Sequence, residues 1–213
     1  MARPDISLDV ASIAGATNAR KVADMKRVAK VIKRAKRSKV VLRLPKMEVG
    51  LRLIVYCDAD WGNLDSGTTG GGIFLALATT NPQGGNEQFC PVNWHAKRLR
   101  RVVRSTFAGE TLIASEAMDE VIYTAEIWSE LGNGMVRTTL RTRCCSLYND
   151  VHLKGSCKEK GLRVDLPARN EAIFDGQLSY QECVETEKKL ADWLSHHMKA
   201  FLMLKTINSR VLA

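Results

Sequence analysis

LRLIVYCDADWGN, residues 51–63, is the stretch on which the fold turns. Its first half is a short apolar run, the pattern of a strand buried inside a sheet. Its second half ends that strand on two carboxylates, Asp58 and Asp60, where core meets solvent. Carboxylates at such a place serve a sharp turn or a hard cation, which prefers oxygen ligands.

Downstream, GGIFLALA (71–78) predicts a second strand, in which Gly70, Gly71 and Gly72 mark a bulge or a close approach. The Pro- and Gly-bearing residues 79–88 fit a hairpin connection. FCPVNWHA (89–96) predicts a third strand, with Pro91 pointing to an edge or a strand start. Ser105 or Thr106 can cap a long helix that runs to about Leu131, where LGNG stops it. Residues 136–145 alternate like a fourth strand, 146–174 are helical with breaks at Gly155 and Pro167, 178–185 form a fifth strand, and 187–204 form a closing helix. This order, β-β-β-α-β-α-β-α, predicts an α/β fold.

Upstream, the chain is basic and periodic. Residues 20–39 hold ten Lys and Arg and one acid, Asp24, which accounts for the whole formal excess of +9. Val22, Met25, Val28, Ile32 and Ala35 recur at helical spacing, leaving cations such as Lys30, Lys33 and Arg34 on the other side. Such a block suits a polyanion, nucleic acid being the commonest, or a solvated helix face. A second cluster, KRLRRVVR, places Lys97, Arg98, Arg100 and Arg101 between the third strand and the long helix.

Length, 213 residues, and composition, 45% hydrophobic and 26% charged, suit one core plus an added segment. No apolar run reaches the roughly 18 residues of a membrane span, so a soluble intracellular protein is expected, cytoplasmic or nuclear, with no membrane partner. The six cysteines lack regular spacing and are expected to be reduced core residues. Cys144, Cys145, His152 and Cys157 do not have the pair spacing of a structural zinc site.

Three carboxylates stand where they can converge: Asp58, Glu110 within STFAGETLIAS, and Asp192 within KKLADWLSHHMK. Phosphodiester hydrolysis without a covalent intermediate uses two cations roughly 4 Å apart, and scattered Asp and Glu suit magnesium.

YCDADWGN, TTGGGIFLA, PVNWHAKRL, RSTFAGETLIASEAMDEVIYTAEIWSELG, EKGLRVDL and VETEKKLADWLSHHMK occur in that order. Together they resemble the ribonuclease H domain of Ty1/copia-type retrotransposon polyproteins. ARPDISLDV and the basic helix resemble the C-terminal end of the preceding reverse transcriptase. The resemblance implies a ribonuclease H-like fold, a five-stranded mixed sheet flanked by helices, over residues 50–204. Residues 1–46 would be a basic helical remnant of the transcriptase connection segment.

It also implies two-metal cleavage, with Mg2+ or Mn2+, of the RNA strand of an RNA/DNA hybrid. Asp58, Glu110 and Asp192 would be catalytic and metal-binding, with Asp60 a neighbouring acid. Lys97, Arg98, Arg100, Arg101, Lys30, Lys33 and Arg34 would bind nucleic acid, and the rest of a reverse transcriptase would be a further partner. Asp165 matches a family acid read as structural. Trp94 is expected in the core, and His95, His196 and His197 on the surface.

One family carboxylate is missing. At the end of the fourth strand, LRTRCCSLYND has Arg143 at the matching position, and Asp150 lies too far along to replace it. At an effective dielectric of about 20, unit charges 4 Å apart interact by about 4 kcal/mol. Arg143 would therefore repel a cation and pair with Asp58 or Glu110 in its place. Weak or absent cleavage is predicted; the alternatives are an inactive nucleic-acid-binding module and a non-functional retroelement remnant. The paired aspartates of a polymerase are absent, and no polymerase activity is expected.

Overall fold

A computed structural model describes residues 3–15, 21–37, 40–42, 44–47, 50–60, 68–80, 87–153, 160–184, 190–196, 200–209 and 211–212. Residues 61–67, with Trp61 and Asn63, most of the stretch expected to be the 79–88 connection, Cys157 and His197 lie outside them.

The centre of the molecule is a mixed sheet. Strand β1 (Leu51–Asp60) runs antiparallel to β2 (Gly70–Thr79), which runs antiparallel to β3 (Glu87–Arg98). On the other side of β1, β4 (Arg137–Thr142) and β5 (Tyr180–Cys183) are parallel. A two-residue strand, β6 (Val211–Leu212), joins β3, so the order is β5-β4-β1-β2-β3-β6. The five expected strands are present, and β6 is an addition. Pro91 sits in β3 beside a register shift that leaves Val92 without a partner in β2. The ladder hydrogen bond that proline cannot donate is lost where pairing is already broken.

Alternation along β1 divides the core between two faces. Leu53, Val55, Cys57 and Ala59 pack with Ile73 and Leu75 under the long helix α3 (Thr106–Trp128), through its Leu112, Ile113 and Ala117. Ile54 and Tyr56 face the other way, with Phe74, Ala76, Phe89 and Trp94. That second face is covered by Leu190, Ala191 and Leu194 around the short helix α6 (Asp192–Ser195) and by Ile207 of α7 (Ala200–Ser209). Each fully buried Ile, Leu or Phe is worth about 1.5–3 kcal/mol, so the two faces together supply most of the driving force.

The neighbouring glycines of β2 explain how closely the helices approach. A Cβ on Gly71 would stand 2.6 Å from Ile113 Cδ1 of α3. A Cβ on Gly72 would stand 2.6 Å from Leu194 Cβ and 2.8 Å from the Ala191 carbonyl. Successive strand residues point to opposite faces, so one glycine admits each helix. The expectation of close approach is met from both sides.

Ser105, in extended conformation, caps α3 by accepting a 3.0 Å hydrogen bond from the Ala108 N–H. The helix ends in a π turn over Ser129–Asn133, where Gly132 takes a positive φ. The fourth strand is shorter than the alternation predicts, because Cys145 already begins α4 (Cys145–Leu153). A 3-10 turn (Lys160–Leu162) and α5 (Asp165–Phe174) follow. The closing helix of 187–204 is not continuous: α6 ends at Ser195 and α7 starts at Ala200. The cysteine expectation fails at one pair. Cys145 and Cys183 form a disulfide joining the start of α4 to the end of β5, with Cα atoms 5.6 Å apart. Their elements are brought side by side by β4–β5 pairing, which sequence spacing does not reveal.

At the N-terminus a 3-10 turn (Pro4–Ile6) leads into α1 (Ser7–Gly15), which packs along β3, and α2 (Val22–Arg37) lies against α1. Residues 40–42 and 44–47 have no regular structure. Among the described residues no helix is long and apolar enough to cross a membrane.

Candidate functional site

Asp58 is the eighth residue of β1 and pairs in register with Gly72. Its side chain belongs to the even-numbered face, the one α6 covers, and it is completely buried. Ser195 Oγ, at the end of α6, donates to Asp58 Oδ2. His196 follows, with Nδ1 3.2 Å from Asp58 Oδ2 and Nε2 3.5 Å from Asp60 Oδ2. The His196 backbone N–H closes the turn on the Asp192 carbonyl at 2.9 Å. Asp192 itself is the first residue of α6 and is buried.

The hydrogen bond to Asp58 raises the His196 pKa; desolvation opposes this, and the charges of Asp58, Asp60 and Asp192 add to it. His196, expected on a helix surface, is instead half-buried between two strand carboxylates. The signal lay in ADWLSHH, where His196 follows Asp192 by four residues. Asp60, expected as a neighbouring acid, faces the same imidazole.

Glu110 comes from the opposite face. It lies in the second turn of α3, buried, next to Gly109, whose Cβ position is 3.4 Å from Ala59 Cβ. It therefore reaches the same end of the sheet as Asp58, from the helix on the other side. The fourth corner is Arg143. Continuing the β1–β4 register, in which Tyr56 stands beside Arg141, puts residue 143 beside Asp58. The strand stops at Thr142, and Arg143 is exposed with no ion pair among the described residues. The expected pairing of Arg143 with Asp58 or Glu110 is not made, because Ser195 and His196 already stand on the Asp58 carboxylate.

This arrangement does not fit a divalent metal pair. Among the described residues no group of three or more His, Cys, Asp or Glu side chains is gathered so that it could hold a metal ion. Hard cations need several oxygens converging on one point, and here Asp58 Oδ2 is already engaged by Ser195 and His196.

The second basic cluster lines a cleft of about 790 Å³ between α1, the β3–α3 connection and α3. Lys97 pairs with Glu116 of α3. Arg101 pairs with Asp165 at 2.9 Å and donates to the Gly161 carbonyl at 2.8 Å. Asp165 thus ties the start of α5 to this connection. A phosphate arriving here would compete with two existing ion pairs. Trp94 is buried in the second core face. His95 Nδ1 is 3.6 Å from Glu120, and burial lowers its pKa despite that carboxylate.

No protein-family model matches the chain, and no curated protein matches it. Solved structures do. LC11-RNase H1, isolated from compost by a metagenomic approach and solved with an RNA/DNA hybrid, is 13% identical over 67% of this chain and 93% of its own, with a TM-score of 0.47. The N-terminal RNase H domain of rv2228c from Mycobacterium tuberculosis is 12% identical, over 75% of this chain and 98% of that one, at 0.46. The foamy viral protease-reverse transcriptase, solved with dsDNA, is 12% identical over 72% and 96%, at 0.42. The structural neighbours are RNase H domains and a retroviral enzyme that includes one.

Proposed function

We propose that this chain is a retroelement-derived ribonuclease H-like domain of Ty1/copia type that has kept the scaffold of an acidic centre without a working metal pair. Residues 1–46 are read as the remnant of a reverse-transcriptase connection segment. Its role is to engage RNA/DNA hybrid or duplex nucleic acid, with cleavage weak or absent. The observation that carries this reading is Arg143, exposed just past the end of β4, where the β1–β4 register, if continued, would run beside Asp58.

In this reading Asp58, Glu110 and Asp192 are what remains of a ligand set for Mg2+ or Mn2+, which these residues as placed no longer complete. Ser195 and His196 fix the Asp58 carboxylate against α6, and Arg143 raises the positive potential beside it. Lys97, Arg98, Arg100 and Arg101 in the cleft, with Lys30, Lys33 and Arg34 on α2, are the proposed phosphate contacts. Lys97, Arg101 and Arg34 already pair with Glu116, Asp165 and Asp9, so they contribute less than the others. Binding of this kind depends on backbone charge and falls steeply with salt.

Cleavage and binding of a labelled RNA/DNA hybrid in magnesium test the reading. The wild-type chain is expected to bind in a salt-sensitive way and to leave the RNA strand intact, while Arg143→Asp regains metal-dependent cleavage. Efficient turnover by the unmodified chain would overturn it.

A further inference from the structure

Among the described residues, helix α2 is held to the body through one side. Arg27 donates to Ser12 Oγ at 3.0 Å, Arg34 pairs with Asp9, and Arg3 donates to the Ala35 carbonyl at 2.8 Å. Arg27, Val31 and Ala35 share that side, at helical spacing. The apolar stripe read from the sequence is turned about a quarter of the way round from it. Val22 and Met25 are 71% and 72% exposed, and Val28 and Ile32 are exposed as well. No residue of α2 is buried. Lys26, Lys33 and Lys36 border the stripe, and none of them meets a carboxylate among the described residues. Asp24, the single acid of the helix, accepts the Lys21 backbone N–H at 2.8 Å.

Nucleic acid would satisfy the cations and leave four aliphatic side chains in water. A second copy of the chain would bring the same positive charge against itself. The contact with α1 shows what does meet this helix: small side chains with carboxylate and hydroxyl oxygens set opposite its Arg residues. We infer that the exposed stripe of α2 is a docking surface for a partner protein helix with an apolar strip flanked by carboxylates. Val22, Met25 and Ile32 supply the apolar contact, and the bordering lysines select the acidic flanks. This surface is separate from the acidic centre; it shares Lys33 with the proposed phosphate contacts, but its apolar stripe stands without that reading.

The probe is a short synthetic amphipathic helix with leucines at i, i+3, i+4 and i+7 and glutamates beside them. Its lysine-flanked twin, vesicles of phosphatidylcholine and phosphatidylserine, and an RNA/DNA hybrid are the comparison ligands for the full chain. The glutamate-flanked helix is expected to bind and the lysine-flanked twin not to. Met25→Ser combined with Ile32→Ser should weaken the bound complex by about tenfold, leaving hybrid binding and the melting transition unchanged. If the double variant melts differently, Val22→Ser carries the same comparison. No binding of the glutamate-flanked helix, equal binding of both peptides, or binding untouched by the substitutions overturns the inference. So does a stripe-dependent attachment to vesicles or hybrid in place of the peptide.

Discussion

At the start of β1, Arg52 and Tyr56 face a closed ionic group, whereas at its far end, on the same face, Asp58 and Asp60 face a histidine. In the first group Arg52 pairs with Glu87 and lies 3.6 Å from Glu182. Arg141 donates to Glu182 at 2.7 Å and to the Tyr56 hydroxyl at 2.7 Å, and sits over the Tyr56 ring. Two guanidinium groups thus meet two carboxylates. Burial works against the Arg141 charge, yet Tyr56 and Glu182 hold its pKa above the ordinary value. At the other end His196 stands 3.2 Å from Asp58 and 3.5 Å from Asp60, and the charge of Asp192 acts on it as well. Charges that balance belong to the architecture. At the far end the carboxylates outnumber the cations that meet them, so charge there is not balanced as it is in the first group.

Breaking the balanced end should do the most damage. Arg141→Met leaves Glu87 and Glu182 sharing one arginine and strands the Tyr56 hydroxyl. A loss of about 3 kcal/mol by denaturant unfolding is expected, since an uncompensated buried charge is costly. A loss below about 1 kcal/mol, the worth of an exposed pair, would erase the distinction between the two ends.

Next in size is the glycine pair that seats the helices. Gly72→Ala sets a methyl against the Ala191 backbone carbonyl under α6 and should cost about 2 kcal/mol. Gly71→Ala meets only the Ile113 side chain, which can change rotamer, and should cost less. Equal losses in thermal or chemical melts would mean that α6 is not pressed on the acidic end as described.

The smallest effect is the most specific to the acidic end. The His196 pKa is raised in the folded chain, so its ion pairing adds stability that is fully present below the unfolded value of about 6.5. That stability is lost as pH rises through the raised folded value. With chelator present, the melting temperature should fall across this window, and His196→Asn should flatten that part of the profile. Asp58→Asn should flatten it too, because Asp58 is the main cause of the shift. A profile unchanged by both substitutions would place His196 away from the strand carboxylates.

Much of the architecture was legible because it rests on local pattern. The apolar run at 51–55, the Ser105 cap, the LGNG stop and the alternation at 136–142 each fix an element through neighbours in the chain. Gly71 and Gly72 announced a close approach, though not which helices approach. The site was less legible. Asp58 stood out at a strand end, but Ser195 and His196 did not, since their role depends on α6 arriving across the sheet. The disulfide escaped notice for the same reason: Cys145 and Cys183 are 38 residues apart and meet only through β4–β5 pairing.

Sequence by itself determined the order of strands and helices, the two basic clusters and the arginine at position 143. Periodicity, capping and charge are properties of adjacent residues and need no fold to be read. Tertiary structure alone decided which face of α2 is left in water, which donors stand on Asp58, and that Glu110 approaches from the opposite side of the sheet. Those facts depend on how elements rotate and dock, and side-chain periodicity does not fix the docking angle.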